Sequence, residues 1–307
     1  MDQILGNIQL LIDYPVANIE ILVQGLMIGA IFVLAAYGLA LVWGVMNVKN
    51  LAQGDFVILG GYISWFLVKT FGDYGMHPLM GVPISFIALW GIGWVVYKLV
   101  INRVIERDLF TSLLATFGIG IIFAQGMNLM FGSDTQSLRL DYSSFTFFDG
   151  IVNIPVAKLI AVILAALLAA AVIIFMKSSR MGQAIRATAQ DARAARVMGI
   201  DTEKVYAFTF SLNAAICGAA GALIVLVWEI QPFYGIAYSV RAFVVVTAAG
   251  LGNLPGVIAA GLGIGALEQY GGHIFGIGYQ QAIAVLLLLI VLIFRLMQQQ
   301  RQRQVLA

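Results

Sequence analysis

Residues 19–46 read IEILVQGLMIGAIFVLAAYGLALVWGVM, an apolar run in which Glu20 is the only charged side chain. A helix needs about 20 such residues to cross ~30 Å of hydrocarbon, at a rise of about 1.5 Å per residue. Six further apolar stretches meet this requirement, at residues 51–71, 79–101, 109–132, 155–176, 206–229 and 274–297. The sequence therefore predicts an all-α, polytopic integral membrane protein with about seven full transmembrane helices.

Composition supports one membrane domain covering residues 1–307. The chain is 61% hydrophobic and 10% charged, whereas soluble domains carry roughly 25% charged residues. Apolar runs recur along the whole chain with short polar breaks, so no soluble domain is expected. Cys217 is the single cysteine, which excludes an intrachain disulfide. The net charge of +2 gives no reason to expect a nucleic-acid partner.

The distribution of basic residues predicts the orientation of the chain. On the frame of seven helices, all but four of the 17 Lys and Arg residues fall on one side; the four are Lys69, Arg139, Lys158 and Arg241. Basic residues are enriched on the cytoplasmic side of membrane proteins. We therefore expect the N-terminus and the polar loop 133–154 outside and the C-terminus in the cytoplasm. The first eighteen residues contain no Lys or Arg, so a cleavable signal peptide is not expected.

The stretch from Val240 to Gly272 does not fit a simple crossing. One more full span there would place the C-terminal arginines outside, and the stretch contains the sequence GLGNLPG at residues 250–256. Unpaired backbone at membrane depth is tolerated where it is buried in protein or lines a water-filled path. We expect two half-helices joined at membrane depth, entering and leaving on the outer side. The alternative is a kinked helix whose small residues allow close packing.

A similar break is predicted in the first half of the chain, where Asn50-Leu51-Ala52-Gln53-Gly54 precedes an apolar run. Two breaks in corresponding halves suggest an internal repeat, although the signal is weak. Polar side chains at membrane depth are costly and are candidates for function. The candidates for the translocation path are Asn47, Asn50, Gln53, Asp55, Asn253 and Glu268.

Three of the charged residues also have structural explanations. Asp55 fits equally an interfacial carboxylate at the cytoplasmic end of its helix, where the helix dipole is positive. Glu229 and Arg241 flank an outer loop and are expected to pair with each other rather than to act on a solute.

Residues 177–205 form the most polar segment, with six basic and three acidic residues. Gln183–Val197 contains no Gly or Pro and predicts one short helix. A helix with a mixed surface outside the membrane is suited to dock in a groove on another protein. A solvated loop whose arginines only set the topology fits the composition equally well.

The sequence contains no phosphate-binding motif G-x-x-x-x-G-K-[ST], so ATP is not expected to bind this chain. His77 and His273 are too isolated to indicate a metal site, and no catalytic constellation is apparent. We expect no enzyme activity and no cofactor on this chain.

Four stretches resemble the LivH-type branched-chain amino-acid permeases of ABC importers. They are GLALVWGVMNVKNLAQGDFVILGGY, ERDLFTSLLATFGIGIIFAQ, RMGQAIRATAQDARAARVMGID and AAGLGNLPGVIAAGLGIGALEQ, in the order of the family. The usual N-F-A-H-G-E-F of the family corresponds here to residues 50–56, with Gln53 in place of His and Asp55 in place of Glu. These departures leave the solute open.

The resemblance implies a permease subunit of the type II ABC importer kind in a bacterial inner membrane. Its partners would be a second related permease, two cytoplasmic P-loop ATPases that carry ATP and Mg, and an external solute-binding protein. Residues 180–201 would then couple the permease to an ATPase. The family pattern is matched at Gly182, Arg186, Ala187, Gln190, Asp191, Ala195, Gly199 and Ile200.

Three functions remain open on the sequence. The first is ATP-driven import by alternating access of branched-chain amino acids, or of urea, short amides or aromatic acids. The second is secondary transport on an ion gradient, for which Asp55 and Glu268 are the candidate carboxylates. The third is a purely structural membrane subunit, which does not explain an organised cytoplasmic helix.

Overall fold

The computed structural model describes residues 2–105, 107–138, 140, 142–147, 151–250 and 252–305, and most of them are helical. The α-helices are α1 (Asp2–Asp13), α2 (Pro15–Met46), α3 (Gln53–Phe71), α4 (Gly81–Val96), α5 (Asn102–Val104), α6 (Leu109–Phe131), α7 (Val156–Ser178), α8 (Arg180–Gln190), α9 (Ala192–Val197), α10 (Thr202–Val225), α11 (Gly235–Ala249), α12 (Leu254–Phe275) and α13 (Gln280–Val305). The π-helical turn Tyr97–Ile101 joins α4 to α5. Short 3₁₀ turns are Gly72–Tyr74, Pro78–Met80, Pro232–Tyr234 and Ile277–Tyr279.

Six helical stretches among the described residues are long and apolar enough to cross a membrane: Pro15–Met46, Pro78–Val104, Phe110–Phe131, Val156–Ser178, Thr202–Val225 and Pro232–Ala249. All but the last coincide with predicted spans, and the last lies in the predicted broken segment. The other two predicted spans are also helical, as α3 and α13. The prediction of a polytopic, helical membrane permease fold is confirmed.

The centre of the bundle is formed by α2 and α10, the most deeply buried of these helices. Small residues let the neighbouring backbones approach closely. A Cβ on Gly25 of α2 would lie 2.6 Å from the Cα of Ala266 in α12, and Gly60 of α3 meets Gly218 of α10 in the same manner. Because α12 runs antiparallel to α2, its first turn lies beside the C-terminal half of α2.

The predicted break in the first half of the chain is present between α2 and α3. Asn47 ends α2 with a φ of 53°, in the left-handed region that Asn tolerates better than most residues. Residues 47–50 have no regular structure, and the turn at 51–52 leads into α3 at Gln53. The side chain of Gln53 reaches the carbonyl oxygen of Ala35, eleven residues before the end of α2. This segment therefore runs back alongside α2 before α3 begins.

The second break separates α11 from α12 at residues 250–253, where Gly250 and Gly252 have φ values of 91° and 79°. Helix α12 is longer than the half-helix that the sequence predicted. It has 22 residues, about 33 Å at 1.5 Å per residue. Phe243 packs edge to face on Trp43, near the C-terminus of α2. The turn therefore lies at the end of the bundle where α2 ends, and not halfway through it.

The polar loop 133–154 contains a structure that the sequence did not predict. Strands β1 (Ser144–Phe147) and β2 (Val152–Pro155) pair antiparallel, with Ser144 opposite Pro155. Arg139, one of the four basic residues predicted on the outer side, lies outside the described residues.

The polar segment 177–205 forms two helices, so the prediction of one helix over Gln183–Val197 is wrong. Asp191 ends α8 in an extended conformation, with φ −155° and ψ 106°. Its carboxylate accepts hydrogen bonds from the backbone N–H groups of Arg193 and Ala194, at 2.8 and 3.0 Å. Aspartate side chains compete with helical hydrogen bonds in this way and favour N-caps. Asp191 therefore ends one helix and caps α9.

Candidate functional site

The first break carries a buried network of polar side chains. Asn50 donates from Nδ2 to Gln53 Oε1 at 3.2 Å, and its Oδ1 accepts the N–H of Ala52 at 3.1 Å. Gln53 Nε2 donates to the carbonyl oxygen of Ala35 and to Asn213 Oδ1, at 2.8 and 2.9 Å. Both Asn50 and Gln53 are fully buried. These two path candidates hold the break together.

The hydroxyl groups of two residues in other helices form hydrogen bonds with backbone groups of the same break. Thr116 Oγ1 in α6 accepts the N–H of Leu51 at 3.2 Å. Its single proton has the carbonyl oxygen of Lys49 within reach at 3.3 Å, beside those of Ser112 and Leu113 in its own helix at 3.1 Å. Ser239 Oγ in α11 donates to Leu51 O and accepts Gly54 N–H, each at 2.8 Å. Irregular backbone is stable in a membrane when its polar groups are paired in this way. Sequence reasoning missed both residues, because Ser and Thr in apolar helices give no local signal.

Asp55 lies in the first turn of α3 and is 6% exposed. A Cβ on Gly120 would lie 2.6 Å from Asp55 Oδ2, which places this carboxylate beside the middle of α6. It lines a small cavity of about 180 Å³ with Phe117, Gln125 and Phe233. Asp55 is in the first turn of α3, as the alternative of a carboxylate at the positive end of the helix dipole expected, and it is buried among helices.

The other path candidates lie apart from this cluster. Asn47 and Asn253 are exposed, and Asn253 Oδ1 caps α12 by accepting the N–H of Gly256 at 3.0 Å. Glu268 lies fifteen residues further along α12 and is 3% exposed. The structure brings Asn50, Gln53 and Asp55 together and leaves Asn47, Asn253 and Glu268 separate.

Glu268 forms an ion pair with Arg241, which is also deeply placed. Arg241 Nε lies 2.9 Å from Glu268 Oε2 and 3.3 Å from Oε1. The two side chains are 14% and 5% exposed. The sequence predicted that Arg241 pairs with Glu229, because the two residues flank an outer loop. The packing of α11 on α12 supplies Glu268 as the partner instead. A charged residue within the apolar run of 240–249 was the signal that identifies Arg241.

The α8–α9 unit lies at the end of the bundle where α2 ends, with α8 packed on α2 and α10. Four of the predicted coupling residues are exposed there: Arg186, Gln190, Asp191 and Gly199. Gly182 and Ala195 are buried, and Ala187 and Ile200 are half-buried. A Cβ on Gly182 would lie 2.5 Å from the carbonyl oxygen of Met176, so this glycine permits the tight turn from α7 into α8.

Val197 and Met198 are the most exposed apolar residues of this unit, at 85% and 81%. Beside them Gly199 has a φ of 84°. Charge is also fixed here: backbone N–H groups of Ala194 and Arg193 hold the pKa of the Asp191 carboxyl below its ordinary value. The surface of the α8–α9 unit thus combines two exposed apolar side chains with the negative charge of Asp191.

No group of three potential metal ligands occurs in the part of the chain that the structure describes. His77 forms a hydrogen bond with Tyr142, at 2.9 Å.

Comparison with known proteins identifies relatives that align with most of the chain. A family model described as the permease component of the branched-chain amino acid transport system matches residues 21–296. The high-affinity branched-chain amino acid transport permease protein BraD of Pseudomonas aeruginosa is 27% identical over 276 residues, which are 86% of this chain and 89% of that protein. The corresponding LivH of Escherichia coli K12 is 26% identical over 274 residues, covering 85% and 88%. A probable LivH of Methanocaldococcus jannaschii is 29% identical and covers 81% of each chain.

A solved structure supports the fold. PsaBC from Streptococcus pneumoniae in complex with Fab contains a similar chain, with a TM-score of 0.50 and 12% sequence identity over 94% of this chain and 95% of that chain. The sequence relatives are named as transport permease proteins, so the expectation of a transport subunit rather than an enzyme is confirmed. The chain belongs to the permease components of branched-chain amino acid transport systems.

Proposed function

We propose that this chain is a pore-forming subunit of an ATP-driven importer, which moves branched-chain or similar small amino acids across the inner membrane by alternating access. The observation that carries the proposal is the exposed α8–α9 unit at one end of the bundle. ATP and Mg would bind to two P-loop ATPase subunits, since no phosphate-binding motif occurs in this sequence. Closure of the ATPases would push on α8–α9 and switch the pore.

The contacts of α8–α9 support its role as the coupling element within residues 177–205. Its buried residues, Gly182 and Ala195, anchor it to the bundle, so a push on the exposed face is transmitted to the helices behind it. Val197 and Met198 suit an apolar groove on the partner, and Arg186, Gln190 and Asp191 provide polar contacts around it. Interfaces commonly combine a buried apolar centre with a polar rim.

The remaining features follow from the same proposal. A second, related permease would complete the pore, and a solute-binding protein would dock on the end opposite α8–α9. The distribution of Lys and Arg favours a cytoplasmic C-terminus and an external N-terminus. Asp55 and Glu268 would border the translocation path, since both line cavities.

The test is a detergent pull-down of the tagged chain from its native membrane. We expect a P-loop ATPase to copurify with the wild type and to be lost with Met198→Asp, since a carboxylate cannot be accommodated in an apolar groove. The matched control is Tyr74→Asp, which alters a residue that is 87% exposed at the opposite end; it should retain the ATPase. Arg186→Glu combined with Asp191→Arg should also lose it.

One outcome would replace the proposal. If the wild type purifies alone and transports solute in vesicles on an ion gradient only, the chain is a secondary transporter. Asp55 is then the principal candidate for the ion site, because Glu268 is already paired with Arg241. Asp55→Asn would then abolish the ion-driven uptake.

A further inference from the structure

The cavity around Arg241 has a position suited to a solute. It has a volume of about 640 Å³ and lies among α2, α10, α11 and α12. α10 begins directly after the α8–α9 unit, and its last residue, Val225, lines the cavity. The cavity is therefore at the end of the bundle opposite the coupling surface, where Ser137 and Gly278 form part of its rim.

Arg241 and Glu268 line this cavity as an ion pair, and both side chains have unused hydrogen-bonding capacity. Only Nε of Arg241 bonds to Glu268. The two terminal amino groups of Arg241 have no hydrogen-bond partner among the residues that the structure describes. A guanidinium has five N–H donors, and four of them are on these terminal groups. Each oxygen of the Glu268 carboxylate can accept a second hydrogen bond.

Aromatic rings hold the guanidinium in place. Its Cζ lies 5.1 Å from the ring centroid of Phe32 and 5.7 Å from that of Tyr238. Cations are stabilised over aromatic faces at such distances. A buried ion pair by itself contributes little to stability, because desolvation offsets the attraction. An ion pair that faces an open cavity and has free N–H donors is better suited to binding a ligand than to stabilising the fold.

We infer that Arg241 and Glu268 bind the charged head of an α-amino acid in this cavity. The carboxylate of the ligand accepts hydrogen bonds from the terminal amino groups of Arg241, and its ammonium group donates to Glu268. Its apolar side chain lies against Phe32, Leu226 and Trp228, which also line the cavity. Guanidinium and carboxylate match as two parallel hydrogen bonds. The inference rests on the proposed transport of amino acids and names a site for them.

The experiment measures protection of a cysteine in the cavity, using the assembled complex in membranes. Ala237 lines the cavity, and Ala237→Cys is labelled with a membrane-impermeant maleimide. Cys217 is fully buried, so the unsubstituted chain gives the background. L-leucine at ten times its Kd should slow labelling about tenfold, because only the unoccupied site reacts. Leucinamide, which lacks the carboxylate, and 4-methylpentanoate, which lacks the ammonium group, should not slow it.

Substitutions then connect protection to the ion pair. Arg241→Gln should remove protection by leucine, and Arg241→Lys should weaken it because lysine lacks the planar fork. The control is Tyr74→Cys at the exposed outer loop, whose labelling leucine should leave unchanged. If the Arg241→Gln variant fails to assemble, the inference is tested by the labelling of Ala237→Cys alone, compared among leucine, leucinamide and 4-methylpentanoate.

The outcomes separate this inference from the proposed function. No protection by leucine up to its solubility limit, or equal protection by leucinamide, overturns the site. ATP-driven leucine uptake in that same preparation leaves the importer assignment standing. Protection by leucine in a chain that purifies without an ATPase supports the site and overturns the importer assignment.

Discussion

At the scale of single residues, glycine and amide side chains decide how closely the helices pack. Gly221 in α10 has no room for a side chain, because a Cβ there would overlap the carbonyl oxygen of Val57 in α3. Gln53 and Asn213 lie on the same pair of helices and form a buried hydrogen bond. Close backbone contact and a buried polar pair thus act on one interface.

Gly221→Ala should destabilise the protein by about 1–3 kcal/mol, because overpacking forces the backbone of α3 and α10 apart. The measurement is the midpoint of thermal unfolding in detergent. Gly91→Ala is the matched control, since nothing lies within 4 Å of a Cβ at that position. Equal midpoints for the two variants would show that α3 and α10 are less closely packed than described here.

Gln53→Leu should cost about 1–3 kcal/mol, since it leaves the carbonyl oxygen of Ala35 and Asn213 Oδ1 buried without this donor. Gln53→His, which places the usual residue of the family there, retains a ring N–H and should cost less. Thermal unfolding of both variants tests the order. A leucine variant as stable as the wild type would contradict the role assigned to the network.

At the scale of secondary-structure elements, two breaks are stabilised in the same way: a side chain accepts hydrogen bonds from backbone N–H groups at the start of the helix that follows. Asp191 caps α9, and Asn253 caps α12. The second break was predictable, because three glycines and a proline occur within residues 250–256. The break at Asp191 was not predictable, because the high helix propensity of Gln183–Val197 favoured a single helix. In the structure, the Asp191 cap outweighs that propensity and starts a new helix.

The Asp191 cap should depend on pH. Its carboxyl pKa is lowered by the N–H groups that it accepts, so its stabilisation is complete above the ordinary aspartate value of about 3.9 and is lost as pH falls through the lower, folded pKa. Hydrogen exchange of the Arg193 and Ala194 amides measures this. Asp191→Asn should keep protection at all pH values.

Asp191→Ala should lose that protection even at neutral pH, since alanine offers no acceptor for the two N–H groups. Protection that persists in Asp191→Ala would show that packing, and not the cap, holds α9.

At the scale of the whole molecule, the bundle has two dissimilar ends. One carries α8–α9 with Val197 and Met198 exposed. The other carries the hairpin of β1 and β2 and the cavity floored by Arg241. The proposed importer, which would receive solute at one end and energy from ATPases at the other, requires such a division.

The proposed orientation predicts which end of the bundle is accessible from which side of the membrane. In intact cells, Tyr74→Cys should react with an impermeant maleimide and Val197→Cys should not; in inverted vesicles the order should reverse. Both positions are more than four-fifths exposed, so reactivity reports sidedness. Reaction of Val197→Cys in intact cells would invert the proposed topology and place α8–α9 outside.

The sequence by itself determined the membrane class, the family resemblance, the two breaks and the position of the polar segment at 177–205. Each depends on local composition or on adjacent residues: apolar runs of sufficient length, Gly and Asn clusters, and grouped charges. Only the tertiary structure decided that Gln53 meets Asn213 across 160 positions and that Arg241 pairs with Glu268. The physical reason is that such contacts depend on the packing and relative depth of whole helices, which the periodicity of any one helix does not specify.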